Sequence, residues 1–397
     1  MIHILLSDKV LSVTHGDVSR EQTLALAAGQ VHISTSHLIS KTPQTSKYPP
    51  SKLNTIAVMP NRPAISSMSL GRAWAGHTMD EKLAQASAHG FLGIEIFFED
   101  LEHMANSLSE GATTLEHQIE AAKTIRTLCD RHNLTVICLQ PFLFYEGLKD
   151  RNEHTQRIEK LKHWFNLVKI LGTDLIQIPA NFLPAEAITS DPEIIAQDMI
   201  ELADMGLGQS PPVRFVYENL AWGTYVDTWE AMWSIVERVN RPNFGCCLDT
   251  FNIAGRIWAD PASSTGTTPD ADAALRASMD RLVKSVDVRK VFYVQVVDAE
   301  RLSQPLIEGH EYHVPGQPPR MSWSRNCRLF AMEAERGGYL PVIEIAQVIF
   351  HRLGYSGWVS LELFSRTMAD PSPNTAKEHA QRGSESWKKL KSALDLP

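Results

Sequence analysis

Eight times between Ala64 and Leu394, a short run of apolar and β-branched residues gives way to a stretch with helical apolar spacing. Such alternation is the pattern of βα units, because parallel strands need a crossover helix on each return. The strand runs are Ala64–Ser69, Leu92–Phe97, Thr135–Gln140, Asp174–Pro179, Val213–Glu218, Asn243–Asp249, Lys290–Val297 and Trp358–Phe364. The helical stretches are Met79–His89, Leu115–His132, Thr155–Leu171, Asp191–Met205, Thr228–Val239, Ala271–Val286, Pro341–Leu353 and Thr375–Leu394. Glycine follows directly after His89, Leu171 and Leu353, where a helix end wants a left-handed residue. Eight units exceed what an open doubly wound sheet usually carries. The pattern therefore predicts an α/β fold of the (β/α)8 TIM-barrel type over residues 59–397. Chemistry in such a barrel sits beyond the carboxyl ends of the strands. The longest post-strand segment, Asp298–Gly338, is expected to be a lid that contacts substrate.

Residues 1–58 read differently. They are rich in Ser, Thr and His and end in a polar run, Ser40–Asn54, so a loosely ordered N-terminal extension is expected there. The apolar start Met1–Leu6 is short for a signal peptide, and Asp8, Asp17 and Glu21 argue against a mitochondrial presequence. Met59, just before the first strand, offers a second starting point. A net charge of −8 gives no basic footprint for nucleic acid or for an anionic membrane. No apolar run reaches the roughly 18 residues of a membrane span. The five cysteines, Cys129, Cys138, Cys246, Cys247 and Cys327, contain no Cys-x-x-Cys. They suggest neither a disulfide framework nor a thiolate metal site. A cytoplasmic protein acting on a small molecule is expected, with a homo-oligomer left open.

The last four strand runs share one feature. Each carries an oxygen donor in or at the end of an otherwise apolar run: Glu218, Asp249, Gln295 and Glu362. With side chains alternating at period two, all four can face the barrel axis. Burying three carboxylates together is costly without compensation, and the only cations in these runs, Arg214 and Lys290, lie at the opposite ends. One bound divalent metal is the natural counter-charge. An all-oxygen set favours Mg²⁺ or Mn²⁺, with Co²⁺ or Zn²⁺ as alternatives. The competing reading is a buried polar cluster satisfied by hydrogen bonds and water.

Those segments, Tyr217–Gly223, Leu248–Phe251, Val294–Ala299 and Ser360–Phe364, resemble the 3-dehydroshikimate dehydratases of the xylose-isomerase-like TIM barrel superfamily. Ile65–Gly71, Gly93–Phe97 and Gln140-Pro141-Phe142 resemble its fungal, quinate-pathway branch, and the likeness runs from about Ala64 to Leu394. The resemblance implies that Glu218, Asp249, Gln295 and Glu362 bind the metal, and that Ser324 and Arg328 contact substrate. It implies a hydro-lyase converting 3-dehydroshikimate to protocatechuate and water. That chemistry needs a polarised ketone, a base for the adjacent C–H proton and an acid to help the next hydroxyl leave. Many relatives carry a histidine three residues after the sixth-strand aspartate or two after the fifth-strand glutamate. Here those positions are Asn252 and Leu220, which cannot take a proton. His77, after the first strand, is the first candidate for the catalytic base, ahead of His310, His313, Glu99 and Tyr145. It reads equally well as a solvated loop histidine. Glu95, inward on the second strand, could support a ligand from behind or contact substrate, but a buried carboxylate held by polar neighbours is the better reading. Two other functions stay open: a sugar isomerase or epimerase on the same barrel, and a non-catalytic barrel that binds a metabolite and regulates a partner.

Overall fold

The computed structural model describes residues 60–109 and 111–397, so the extension expected over residues 1–58 lies outside the described residues. Eight parallel strands close into a barrel, each beside its sequence neighbour, with the eighth returning to pair with the first. They are β1 (Arg62–Ser66), β2 (Gly93–Phe97), β3 (Thr135–Gln140), β4 (Leu175–Pro179), β5 (Arg214–Glu218), β6 (Phe244–Asp249), β7 (Val291–Gln295) and β8 (Trp358–Leu361). All eight expected strands are present, and closure leaves no sheet edge exposed. Ala64, Leu175, Val216, Cys247 and Tyr293 pack together as a small apolar cluster. A far larger one, including Tyr217, Phe244, Trp229 and Trp164, joins the sheet to the helices.

β1 ends three residues before the expected Ser69, where the chain turns into a 3-10 segment, Ser67–Leu70. The serines explain this. Ser67 Oγ donates to Asp100 at 2.6 Å and accepts from the Phe97 backbone, while Ser69 Oγ exchanges bonds with the Leu363 backbone. Side-chain bonds of this kind compete with a ladder. The same Ser69 contact takes up Leu363, and β8 stops at Leu361.

Three helices arise where none was expected: Phe98–Ser107, Thr250–Ile257 and Pro319–Cys327. The second is capped by Asp249, whose carboxylate accepts the Phe251 N–H at 2.7 Å. The third lies inside Asp298–Gly338, so that segment is partly ordered rather than a plain loop. Its ends are joined by an antiparallel pair, Val297–Ala299 with Arg328–Phe330. Among the described residues, no helix is long and apolar enough to cross a membrane. All five cysteines are free and buried.

Candidate active site

The carboxyl ends of the strands gather four buried carboxylates. Glu218 and Asp249 close β5 and β6, Glu362 follows β8 directly, and Glu95 points inward from β2; Gln295 closes β7. None of the five is more than 4% exposed. Parallel register sets Asp249 beside Gln295 and Ser360 beside Gln295, so these ends share one level.

Shared donors tie the carboxylates together. Asn252 Nδ2 donates to Glu218 Oε1 at 2.8 Å and to Asp249 Oδ2 at 2.9 Å. Arg328 Nη1 donates to Asp249 Oδ2 at 2.9 Å and to Glu362 Oε2 at 3.1 Å. Gln140 Nε2 reaches Glu95 Oε2 at 2.8 Å and Glu362 Oε1 at 3.0 Å, and Gln177 Nε2 donates to Glu218 Oε2. Burial, then the charges of Asp249 and Glu362, hold the Glu218 carboxyl well above the usual carboxylate range. Burial pushes Glu362 up to about 8 against the pull of Arg328. For Arg328, burial opposes the charge, but Asp249, Glu362 and Glu218 more than offset it and keep the guanidinium protonated.

Arg328 corrects one step of the sequence reading. Arg214 and Lys290 were the only cations found in the strands, but Arg328 enters from the segment after β7 and faces the carboxylates directly. Its guanidinium stacks over Phe251 at 4.3 Å and Phe364 at 5.2 Å, and its Nε bonds to Ser324 Oγ at 3.0 Å. The structure thus brings Ser324 and Arg328 to the four expected metal ligands. One guanidinium still faces four carboxylates. The amide oxygen of Gln295 is buried with no hydrogen-bond partner. A charge deficit, an all-oxygen donor set and an orphaned acceptor fit a hard divalent cation held by Glu218, Asp249, Gln295 and Glu362.

His77 is occupied elsewhere. It is buried, and its Nε2 lies 2.7 Å from the backbone carbonyl oxygen of Asp370. Among the other base candidates, Tyr145 donates to the Asp198 backbone at 2.9 Å and Glu99 pairs with Arg72 at 2.9 Å. Sequence reasoning passed over Asn252, Gln140 and Gln177 as members of the network. Asn252 sits one helical turn after Asp249, a spacing that would have found it had the helix been expected.

A second group, His154, Asp198 and Glu201, has ligand atoms close enough to share an ion. It lies between the helices Arg151–Leu171 and Pro192–Leu207. Asp198 has a full set of donors, whereas His154 Nδ1 is buried without a hydrogen-bond partner. Arg151 donates to both Asp198 oxygens at 2.8 and 3.3 Å, the Gly147 N–H adds a bond at 2.8 Å, and His154 pairs with Glu201 at 2.7 Å.

Residues 83–390 match the xylose isomerase-like TIM barrel family. The chain is 56% identical over 344 residues to a 3-dehydroshikimate dehydratase of Neurospora crassa, covering 85% of this chain and 96% of that protein. A 3-dehydroshikimate dehydratase of Pseudomonas aeruginosa is 30% identical over 288 residues, 72% of this chain but 36% of that longer protein. Among solved structures, a xylose isomerase-like TIM barrel/4-hydroxyphenylpyruvate dioxygenase fusion protein superposes with a TM-score of 0.62 at 25% identity. That match covers 84% of this chain and 43% of the other.

Proposed function

The chain belongs to the xylose isomerase-like TIM barrel family, in its 3-dehydroshikimate dehydratase branch, and on that premise we propose that it dehydrates 3-dehydroshikimate to protocatechuate at the barrel mouth. The observation that carries this reading is the imbalance of four buried carboxylates around one guanidinium, with the Gln295 oxygen left unpaired. Glu218, Asp249, Gln295 and Glu362 would hold one divalent metal, Mg²⁺ or Mn²⁺ by their oxygen chemistry. When bound, that ion supplies a Lewis acid for the substrate ketone and the missing positive charge.

The chain's own groups orient the rest. Asn252 spaces Glu218 from Asp249, and Gln140 anchors one oxygen of Glu362. Arg328 holds the other Glu362 oxygen through Nη1, while its Nη2 makes no hydrogen bond among the described residues. That nitrogen is the donor we assign to substrate oxygen, with Ser324 fixing the guanidinium from its Nε side. The aromatic faces of Phe251 and Phe364 exclude water from around Arg328. Loss of the proton beside the ketone, departure of the neighbouring hydroxyl as water and tautomerisation then make the ring aromatic. The buried free cysteines suit a reducing compartment, and we place the enzyme in the cytosol; its assignment to quinate catabolism rests on the sequence resemblance alone.

The test is absorbance of protocatechuate after adding 3-dehydroshikimate to metal-stripped protein, with and without Mg²⁺ or Mn²⁺. Activity should appear only with metal. Glu218→Gln or Glu362→Gln should lower it by at least about 100-fold, since a Lewis acid contributes several kcal/mol and each 1.36 kcal/mol is tenfold. Folded protein that makes no product with any divalent ion would overturn the dehydratase reading in favour of an isomerase or a regulatory barrel.

A further inference from the structure

Glu95 is the one carboxylate of the mouth that the reaction as described leaves without a task. It is fully buried, yet it is the most heavily hydrogen-bonded side chain there. Tyr293 OH donates to its Oε2 at 2.9 Å, Ser360 Oγ donates to Oε1, and Cys138 Sγ lies 3.5 Å from Oε2. Two amides also turn their nitrogens to it: Gln140 at 2.8 Å, and Gln295 at 3.2 and 3.3 Å.

We propose that Glu95 is a positioning residue that fixes which end of the Gln295 amide faces the metal; this rests on the metal reading above. An amide has nearly isosteric ends of opposite polarity, and its packing alone does not choose between them. A carboxylate beneath it does. With Nε2 drawn onto both Glu95 oxygens, Oε1 is turned away as a buried acceptor with no partner. Reversing the amide would set its oxygen against the carboxylate and present an N–H₂ group to the cation, which is unfavourable at both ends. The same carboxylate anchors Gln140, whose Nε2 also holds Glu362 Oε1. Glu95 thereby orients two ligands from one point, and its own position is set by Ser360 and Tyr293 on β8 and β7, two and three strands away around the barrel.

The deciding measurement is Mn²⁺ affinity of the full chain by electron paramagnetic resonance, alongside circular dichroism melting. Glu95→Gln can offer its own N–H₂ upward and so permits the reversed amide. It should keep the native melting profile and weaken Mn²⁺ binding by about 10- to 100-fold, the usual cost of losing an outer-shell partner. The double variant Glu95→Gln/Gln295→Glu moves the carboxylate from the lower position to the upper one. It should recover most of the affinity, and by more than Gln295→Glu alone gains over wild type, a coupling that the added ligand charge by itself does not produce. Native affinity in Glu95→Gln, or a gain in the double variant no larger than that of Gln295→Glu alone, overturns the proposal. Should the single variant not fold, the double decides alone: folded with Mn²⁺ bound supports the orientation role, and any other result overturns it. Wild-type protein that binds no Mn²⁺ removes the metal reading itself and this inference with it, whereas normal wild-type binding with an unaffected Glu95→Gln removes only the inference.

Discussion

At the barrel mouth, Asp249 and Glu362 share the guanidinium of Arg328, while Glu218 and Glu95 are held by neutral amide and hydroxyl donors. Between two outer helices, Asp198 and Glu201 are met by Arg151, His154 and a backbone N–H. Both groups are built of acidic side chains, but among the described residues it is the outer one, with His154, whose ligand atoms already lie within reach of a shared ion. In the outer group Arg151 and the Gly147 N–H answer Asp198 and His154 bonds to Glu201, while His154 Nδ1 is buried without a hydrogen-bond partner. The inner group runs a deficit of charge that the fold does not correct. Proteins keep such an arrangement where binding or catalysis uses it, at a cost to the stability of the empty fold. Charge balance, more than the count of ligand-type residues, separates the two.

Variants at the two places should therefore move stability in opposite directions. Asp198→Asn removes the buried partner of Arg151 but leaves that guanidinium half exposed, so the loss should be about 1.5 kcal/mol, the worth of the charged hydrogen bonds rather than of a stranded buried charge. Activity per folded molecule should be unchanged. In metal-free protein at pH 8, Glu218→Gln relieves the repulsion from Asp249 and Glu362. It should melt higher than wild type by the equivalent of about 1 kcal/mol, while losing activity. Chelator-treated thermal melts read both. A Glu218→Gln variant that melts lower than wild type would break the contrast.

Glu146 sharpens the comparison because it has donors but no cation. Its Oε1 takes the Asn181 N–H at 2.6 Å and Tyr217 OH at 2.9 Å, and its Oε2 is buried without a partner. Burial pushes its carboxyl up to about 7. A raised folded value means the native state binds the proton more tightly than the unfolded chain. The stabilisation is complete below the unfolded value near 4.5 and is lost as pH rises through about 7. The full shift would correspond to at most ~3 kcal/mol, and relaxation around the charge brings the expected figure to about 2 kcal/mol. Glu146→Gln should match wild type at pH 5 and melt higher than it at pH 8. Parallel melting curves at the two pH values would show that Glu146 ionises in place at no cost.

The barrel was legible because each of its eight strands and return helices announces itself locally, and the ring of donors because period-two alternation brings strand ends to one face. Glu218, Asp249, Gln295 and Glu362 could be read as a set for that reason. Arg328 could not be read as their counter-charge, because its approach depends on how Asp298–Gly338 folds back through the Val297–Ala299 pairing, a long-range contact. Asn252 was read only as a position that cannot take a proton, because the helix that places it beside Glu218 and Asp249 was not expected. The bonds of Gln140 and Gln177 join strands whose relative depth a sequence does not give. The early end of β1 was invisible for a similar cause: Ser67 and Ser69 choose side-chain bonds over the ladder only when Asp100 and Leu363 are in place.

His77 gives the smallest effect and tests whether the mouth's chemistry extends to its rim. Its ring packs against Gly71, where φ is +123° and an added Cβ would collide with the ring. Its Nε2 is held by the Asp370 carbonyl at 2.7 Å, so the side chain ties the segment after β1 to the segment after β8. A group fastened in this way is well suited to hold the rim and poorly placed to swing toward a substrate proton. His77→Gln should therefore cost about 1 kcal/mol of stability, the worth of one hydrogen bond, and leave kcat within a few-fold of wild type. Loss of a general base would instead lower kcat by about 10²- to 10⁴-fold with the melting temperature nearly unchanged. Measuring kcat and Tm on the same preparation separates the two. A large fall in kcat alone would return His77 to the proton transfer and show that the ring leaves Asp370 when substrate binds.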